Sequence, residues 1–277
     1  MVQPFDFIFA LCCGIYFSIL VSIGDSFSER IMNAWFRPGR KQIRNKYQYL
    51  LQARSTCESC HEPVKPRYLV PVFGYIFARG KCSQCGTAIS KRFFYEDTLS
   101  FAYGFVLFLI HPYEVLFILF TAAFFIAGVI IARIDREFQL VPTEFILGIL
   151  LLAMAEYFLQ YHFLVNSAGA TLALLVPILW WLGFHLIRIL SKYQMGLADV
   201  RLVLGLGIAC GYPGSVYFPT VAALVGILFY GLTALINRRQ IDLKMRIPFA
   251  VYLVIAFLLM RLFKVFDVAV KKDFLRF

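Results

Sequence analysis

Charge is scarce in this sequence. Only 16% of its 277 residues are Asp, Glu, Lys or Arg, against 61% hydrophobic and 17% aromatic. A mean hydropathy of +0.75 is more than a water-soluble domain carries, so a soluble globular protein is excluded. Alternation of apolar and polar residues is also missing: the apolar runs are continuous, which excludes a closed β-barrel. No Lys or Arg precedes Arg30, and no small-residue cleavage site follows the first apolar run. That run therefore reads as a first spanning helix and not as a removed signal peptide. Internal repeats and low-complexity tracts are absent.

What is present is a series of apolar runs near the 20 or so residues that a helix needs to cross a bilayer. They place spans at 5–23, 98–110, 115–133, 145–163, 168–188, 202–210, 216–236 and 248–263. The expected fold class is an all-α polytopic membrane protein of about eight transmembrane helices, with a small zinc-knuckle domain inserted after the first. Residues 1–23 form the first helix, 24–95 the inserted domain, and 96–277 the membrane domain. The inserted stretch holds 13 Lys and Arg against four acidic residues. The net charge of +11 reads as the cytoplasmic bias of Lys and Arg in a membrane protein, not as a nucleic-acid surface. The inserted domain is then cytoplasmic and the N-terminus outside. The basic C-terminal stretch, with Arg261, Lys264, Lys271, Lys272 and Arg276, falls outside in this scheme.

Two features carry chemistry. Cys57-x2-Cys60 and Cys82-x2-Cys85 are two knuckles separated by 21 residues, the pattern of a tetrahedral all-cysteine zinc site. Four protein thiolates leave no position for water, so the zinc is structural, and disulfides do not suit a cytoplasmic domain. The second feature is a pair of carboxylates. Asp135 follows the run 115–131, and Asp199 lies in Gly196-Leu-Ala-Asp199-Val-Arg201, between two other runs. An Asp at a bilayer centre costs about 2.5–3.5 kcal/mol, less near the boundary, so each needs a partner or a purpose. Two carboxylates sharing a site suggest an aspartic dyad: one ionised as general base on water, the other protonated toward a carbonyl. The bland alternative pairs Asp135 with Arg133 or Arg136, and Asp199 with Arg201.

The combination resembles the bacterial prepilin peptidases, polytopic aspartic proteases of the GxGD type. Val70–Ser90 (VPVFGYIFARGKCSQCGTAIS) is similar to the family's segment around its second CxxC. Ile134-Asp135 with Pro142 matches the first catalytic motif. Gly196 and Asp199, followed by Gly205 and Gly207, match the second, and Met245–Leu253 resembles a late Ile-Pro-Phe element. The resemblance covers nearly the whole chain in order. It implies Asp135 and Asp199 as catalytic residues, with Gly196, Ala198, Arg201 and Pro142 supporting the active-site loops.

It further implies removal of a short basic leader from type IV prepilin-like or pseudopilin precursors at the cytoplasmic face of the bacterial inner membrane. The partners are those precursors and membrane lipid, with no nucleic acid. The sequence leaves the oligomeric state open. The family also methylates the new terminus with S-adenosylmethionine, and Glu29, Glu96 and Asp97 are the candidates for holding that cofactor or the leader.

Several positions depart from the family pattern. Ala198 stands for the second Gly, Arg201 for Lys, and Thr143 for an acidic residue. DSFSE (Asp25–Glu29) replaces Gly-Ser-Phe-x-Asn, and KRFFYED (Lys91–Asp97) lacks a Pro. The last two fall in the region tied to methylation, so peptidase activity is expected and methylation is left open. The rival readings are a non-enzymatic zinc-knuckle scaffold of a pilus or secretion assembly, and a transporter using the aspartates as proton sites.

Overall fold

The computed structural model describes residues 4–37, 48–50, 54–57, 59–60, 62–161, 168–193, 195–236 and 248–263. The turn at Asn166-Ser167, the third inner loop (237–246) and the basic tail from Lys264 lie outside the described residues. So do Met245 to Ile247, the start of the late Ile-Pro-Phe element.

The described elements are helical. α1 (Pro4–Ile31) runs into a π turn at Met32–Phe36. A 3₁₀ turn, Pro66–Tyr68, precedes the short α2 (Phe73–Phe77). The remaining helices are α3 (Lys91–Ile110), α4 (Val115–Phe138), α5 (Thr143–Tyr161), α6 (Ala168–Leu190), α7 (Leu197–Cys210), α8 (Gly214–Ile236) and α9 (Phe249–Phe263). Among the described residues there are only isolated β-bridges and no strand.

Among the described residues, six helices are long and apolar enough to cross a membrane: α1, α3, α4, α5, α6 and α8. The chain is a multi-pass membrane protein. α7 has 14 residues and α9 has 15, or about 21–23 Å at the helical rise, short of a core of about 30 Å.

Several helices run past their sequence-based bounds, α1 and α3 furthest. The polar cluster after Gly24 suggests that the first helix stops there, yet α1 continues to Ile31. Asp25 is buried in that extension because Arg133 meets it at 3.0 Å and Arg92 approaches at 3.9 Å. Ser28 Oγ donates to the Asp25 carbonyl, so the polar side chains are satisfied without breaking the helix. α3 likewise begins seven residues before Thr98. Ser90 caps it by accepting from the Arg92 N–H, and Glu96 pairs with Arg92 one turn earlier at 3.0 Å.

The chain divides into two compact units, Met1–Arg133 and Ile134–Phe277. In the first, α1 and α3 pack through reciprocal glycines. A Cβ on Gly14 would lie 2.9 Å from the Phe101 carbonyl, and one on Gly104 would lie 2.7 Å from the Cys13 carbonyl. Small residues at such a crossing let the backbones approach, which is how helices gain contact in lipid. Phe17 fills the space beside them against Tyr103 and Phe125.

In the second unit α7 is the central element. It packs against α5, α6, α8 and α9. Val200, Leu202, Val203 and every residue from Gly205 to Cys210 are buried. A helix apolar all round belongs in a core, and its burial accounts for its short length. Gly205 faces Ile149 of α5 and Gly207 faces Pro177 of α6, each where a Cβ would be crowded.

Candidate functional site

The two aspartates come from opposite ends of elements in the second unit. Asp135 is in the last turn of α4 and is buried. The backbone N–H groups of Val251 and Ala250, in the first turn of α9, act on its carboxylate. Those N–H groups have no intrahelical acceptor, so a carboxylate at this helix end meets both free donors and the positive end of the helix dipole. Its second oxygen, Oδ2, is buried without a hydrogen-bond partner among the described residues.

Asp199 lies in the first turn of α7, with Gly196 as the N-cap. The Cβ that Gly196 lacks would sit 3.0 Å from Asp199 Oδ2. Glycine there leaves the carboxylate its room. Ala198 is helical, and Ala favours the helix where Gly would weaken it, so α7 starts ahead of Asp199. Asp199 lies outside the six long helices. Burial pushes its carboxyl up to about 7, and the charge of Asp135 adds to the effect. The charge of Asp135 therefore reaches Asp199.

Neither aspartate forms an ion pair among the described residues. Arg133 is taken by Asp25, while Arg136 and Arg201 are exposed. Pro142 begins α5, its carbonyl accepting from the Phe145 N–H at 3.2 Å. Thr143 is the first residue of that helix.

The four cysteines converge. Their sulfurs all lie within 4.8 Å of one another, and Cys57 Sγ is 3.9 Å from Cys85 Sγ. Metal–sulfur distances of about 2.3 Å in a tetrahedron put sulfurs about 3.8 Å apart, so the donor set fits a metal ion. Each knuckle sits at the tip of a small antiparallel turn, bridged at Thr56–Pro63 and at Lys81–Ala88. The Gln84 N–H points at Cys82 Sγ (3.4 Å), and Gly86 takes φ +73°, which lets the second knuckle close. The Thr87 hydroxyl and N–H hold the Cys85 thiol down to about 6, while burial and the neighbouring sulfurs push Cys60 up to about 12, so the four share their protons as one group. None of the four is in a disulfide.

The three acidic candidates are each engaged within the protein. Glu29 is bound by Arg37 and by the Asn33 amide. Glu96 is bound by Arg92. Asp97 accepts the Val72 N–H at 2.9 Å. A cationic cofactor would compete with guanidinium groups for the first two, so these carboxylates do not fit a shared site for a sulfonium.

Sequence reasoning missed Glu156 and misread Arg261. Arg261 is not part of an external tail: it is in α9, 1% exposed, and it meets Glu156 of α5. The signal was available, since each is an ionised group inside an apolar run and therefore needs the other. Asp25 was read only as a departure from a motif, and its partner Arg133 only as a neighbour of Asp135.

The family model for the bacterial peptidase A24 N-terminal domain matches residues 8–111. A prepilin leader peptidase/N-methyltransferase of Dichelobacter nodosus is 27% identical over 65% of this chain and 63% of its own length. The protein of the same name from Aeromonas salmonicida is 27% identical over 90% of this chain and 87% of its own. The Legionella pneumophila one is 28% identical over 75% and 71%. No solved structure matches. The N-terminal match and the extent of these alignments show that the chain is similar to bacterial prepilin leader peptidases/N-methyltransferases.

Proposed function

We propose that the chain is a membrane-embedded aspartic endopeptidase that removes the short basic leader of type IV prepilin-like or pseudopilin precursors. The observation that carries this reading is the placement of Asp135 and Asp199 in one unit, with the charge of Asp135 reaching Asp199 and neither neutralised by an arginine among the described residues. Asp135 alone of the two has helix N–H donors beside it, and we assign it as general base. It takes a proton from a water that attacks the scissile carbonyl. Asp199, whose carboxyl retains its proton to about 7, donates to the carbonyl oxygen as negative charge develops there. As the tetrahedral species collapses, the protonated Asp135 gives its proton to the leaving amine and Asp199 takes back the hydroxyl proton as the carbonyl re-forms. The unpartnered Oδ2 of Asp135 is a place for the attacking water to be held.

In this reading the eight apolar stretches lie in the bilayer of the bacterial inner membrane, α7 entering it after Arg201, so that Asp199 stands at its boundary. Both aspartates and the inserted domain face the cytoplasm. Cys57, Cys60, Cys82 and Cys85 hold one structural zinc. No methyl-transfer step is derived, because Glu29, Glu96 and Asp97 are each engaged within the protein. The test is leader cleavage by the purified chain reconstituted in lipid vesicles with a prepilin precursor. Cleavage supports the reading, and an intact precursor beside an active relative from the same assay contradicts it.

A further inference from the structure

One stretch between the two cysteine knuckles leaves five large apolar side chains exposed. Leu69, Val70, Phe73, Ile76 and Phe77 are all exposed, Phe77 to 65%, although they lie outside the long membrane helices. Along the segment that carries them the charge has one sign. From Pro63 to Tyr95 there is no acidic residue, while Lys65, Arg67, Arg79, Lys81, Lys91 and Arg92 are present. All of these except Arg92 are exposed.

The backbone is held so as to present this face. Val72 has φ 62° and ψ −59°, and the Phe73 N–H donates to the Pro71 carbonyl at 2.6 Å, which makes a γ-turn. Positive φ is strained for a β-branched residue and persists only where the surroundings enforce it. Asp97 does so by accepting the Val72 N–H. Behind the turn, a Cβ on Gly74 would lie 2.3 Å from the Tyr68 carbonyl, so α2 is pressed onto the 3₁₀ turn. Tyr75 packs on Phe94, with ring centroids 5.5 Å apart. One face of α2 is thus turned to the protein while Phe73, Ile76 and Phe77 are left outside. Both anchors, Phe94 and Asp97, are in the first two turns of α3, a membrane-crossing helix whose Tyr95 and Leu99 are also exposed. The α2 face therefore continues a lipid-facing surface at the level where that helix enters the bilayer.

We infer that Leu69–Val70 and α2 rest in the headgroup–acyl boundary of an anionic bilayer, as a foot that sets the height of the cysteine segment above the membrane. Apolar and aromatic side chains enter the acyl boundary, and the flanking lysines and arginines meet anionic headgroups. The inference does not depend on the peptidase reading.

It is tested by photo-crosslinking the full chain in phosphatidylcholine vesicles containing a minor fraction of phosphatidylglycerol. The photoreactive residue p-benzoylphenylalanine replaces Phe77, and in a reference sample Leu99. Because Phe77 is exposed, the replacement leaves the fold alone. Mass spectrometry is expected to show lipid adducts at both positions, with phosphatidylglycerol above its share at 77. Crosslinks from 77 to a second copy or to another protein, or no adduct there while 99 reacts with lipid, would overturn the inference. Phosphatidylglycerol at or below its share would overturn its anionic part. Asp97→Ala should lower the lipid adduct at 77 several-fold and leave 99 unchanged. An unchanged adduct at 77 would remove Asp97 from its positioning role.

Discussion

Arg261 Nη2 donates to Glu156 Oε1 at 2.8 Å, and Arg261 Nη1 donates to the Ala209 carbonyl at 3.2 Å. One guanidinium therefore ties α9 to α5 and to the last turn of α7. The Gln160 amide adds a donor to the same carboxylate oxygen. Both charged side chains are almost completely buried. Removing one partner strands the other as an uncompensated charge, at about 3–5 kcal/mol, whereas an apolar pair of similar volume is often tolerated. Arg261→Met and Glu156→Leu should each lower the thermal unfolding midpoint in detergent, and the double variant should be more stable than either single one. A double variant as unstable as the sum of the singles would deny the pairing.

How much of this was legible in the sequence depended on whether the signal was local. Cys57-x2-Cys60 and Cys82-x2-Cys85 declare themselves by spacing, and their sulfurs do converge. Asp135 and Asp199 stand out because a carboxylate beside an apolar run is conspicuous, but 64 residues separate them and no periodicity states that they meet. The extension of α1 past Gly24 was hidden, because its polar residues are satisfied by Arg133 and Arg92 from distant segments. The role of Asp97 was hidden for the same reason. Its partner is a backbone N–H in a loop, 25 residues away.

The pH profile of cleavage follows from the shared proton. The Asp199 carboxyl is raised, so its protonated form predominates below about 7 and is lost as pH rises through that value. Cleavage should therefore fall on the alkaline side with an apparent pKa near 7, the limb belonging to the pair and not to one residue alone. Asp199→Glu should move that limb if the side chain still reaches. Full activity maintained well above pH 8 would contradict the assignment of Asp199 as proton donor.

Metal analysis of the purified chain should give about one zinc per chain. Cys57→Ser or Cys85→Ser should reduce bound zinc and make the inserted segment more sensitive to proteolysis, because metal binding at such a site contributes folding energy. A metal-free chain with two intact disulfides would refute the site.

The terminus freed by cleavage should carry no added methyl group when S-adenosylmethionine is supplied, since Arg37 and Arg92 already occupy Glu29 and Glu96. Mass spectrometry of the product decides this. A one-methyl increment dependent on the cofactor would show that a methyl-transfer site exists despite those pairs.

The central claim is that Asp135 and Asp199 act as one catalytic pair. Its most direct test is leader cleavage by Asp135→Asn and Asp199→Asn, with membrane insertion and zinc content checked in the same preparations. Each variant is predicted to insert and bind metal normally and to lose cleavage by at least about a hundredfold, as expected for an acid or base acting on the reacting atoms. Substantial cleavage by either variant would contradict the claim.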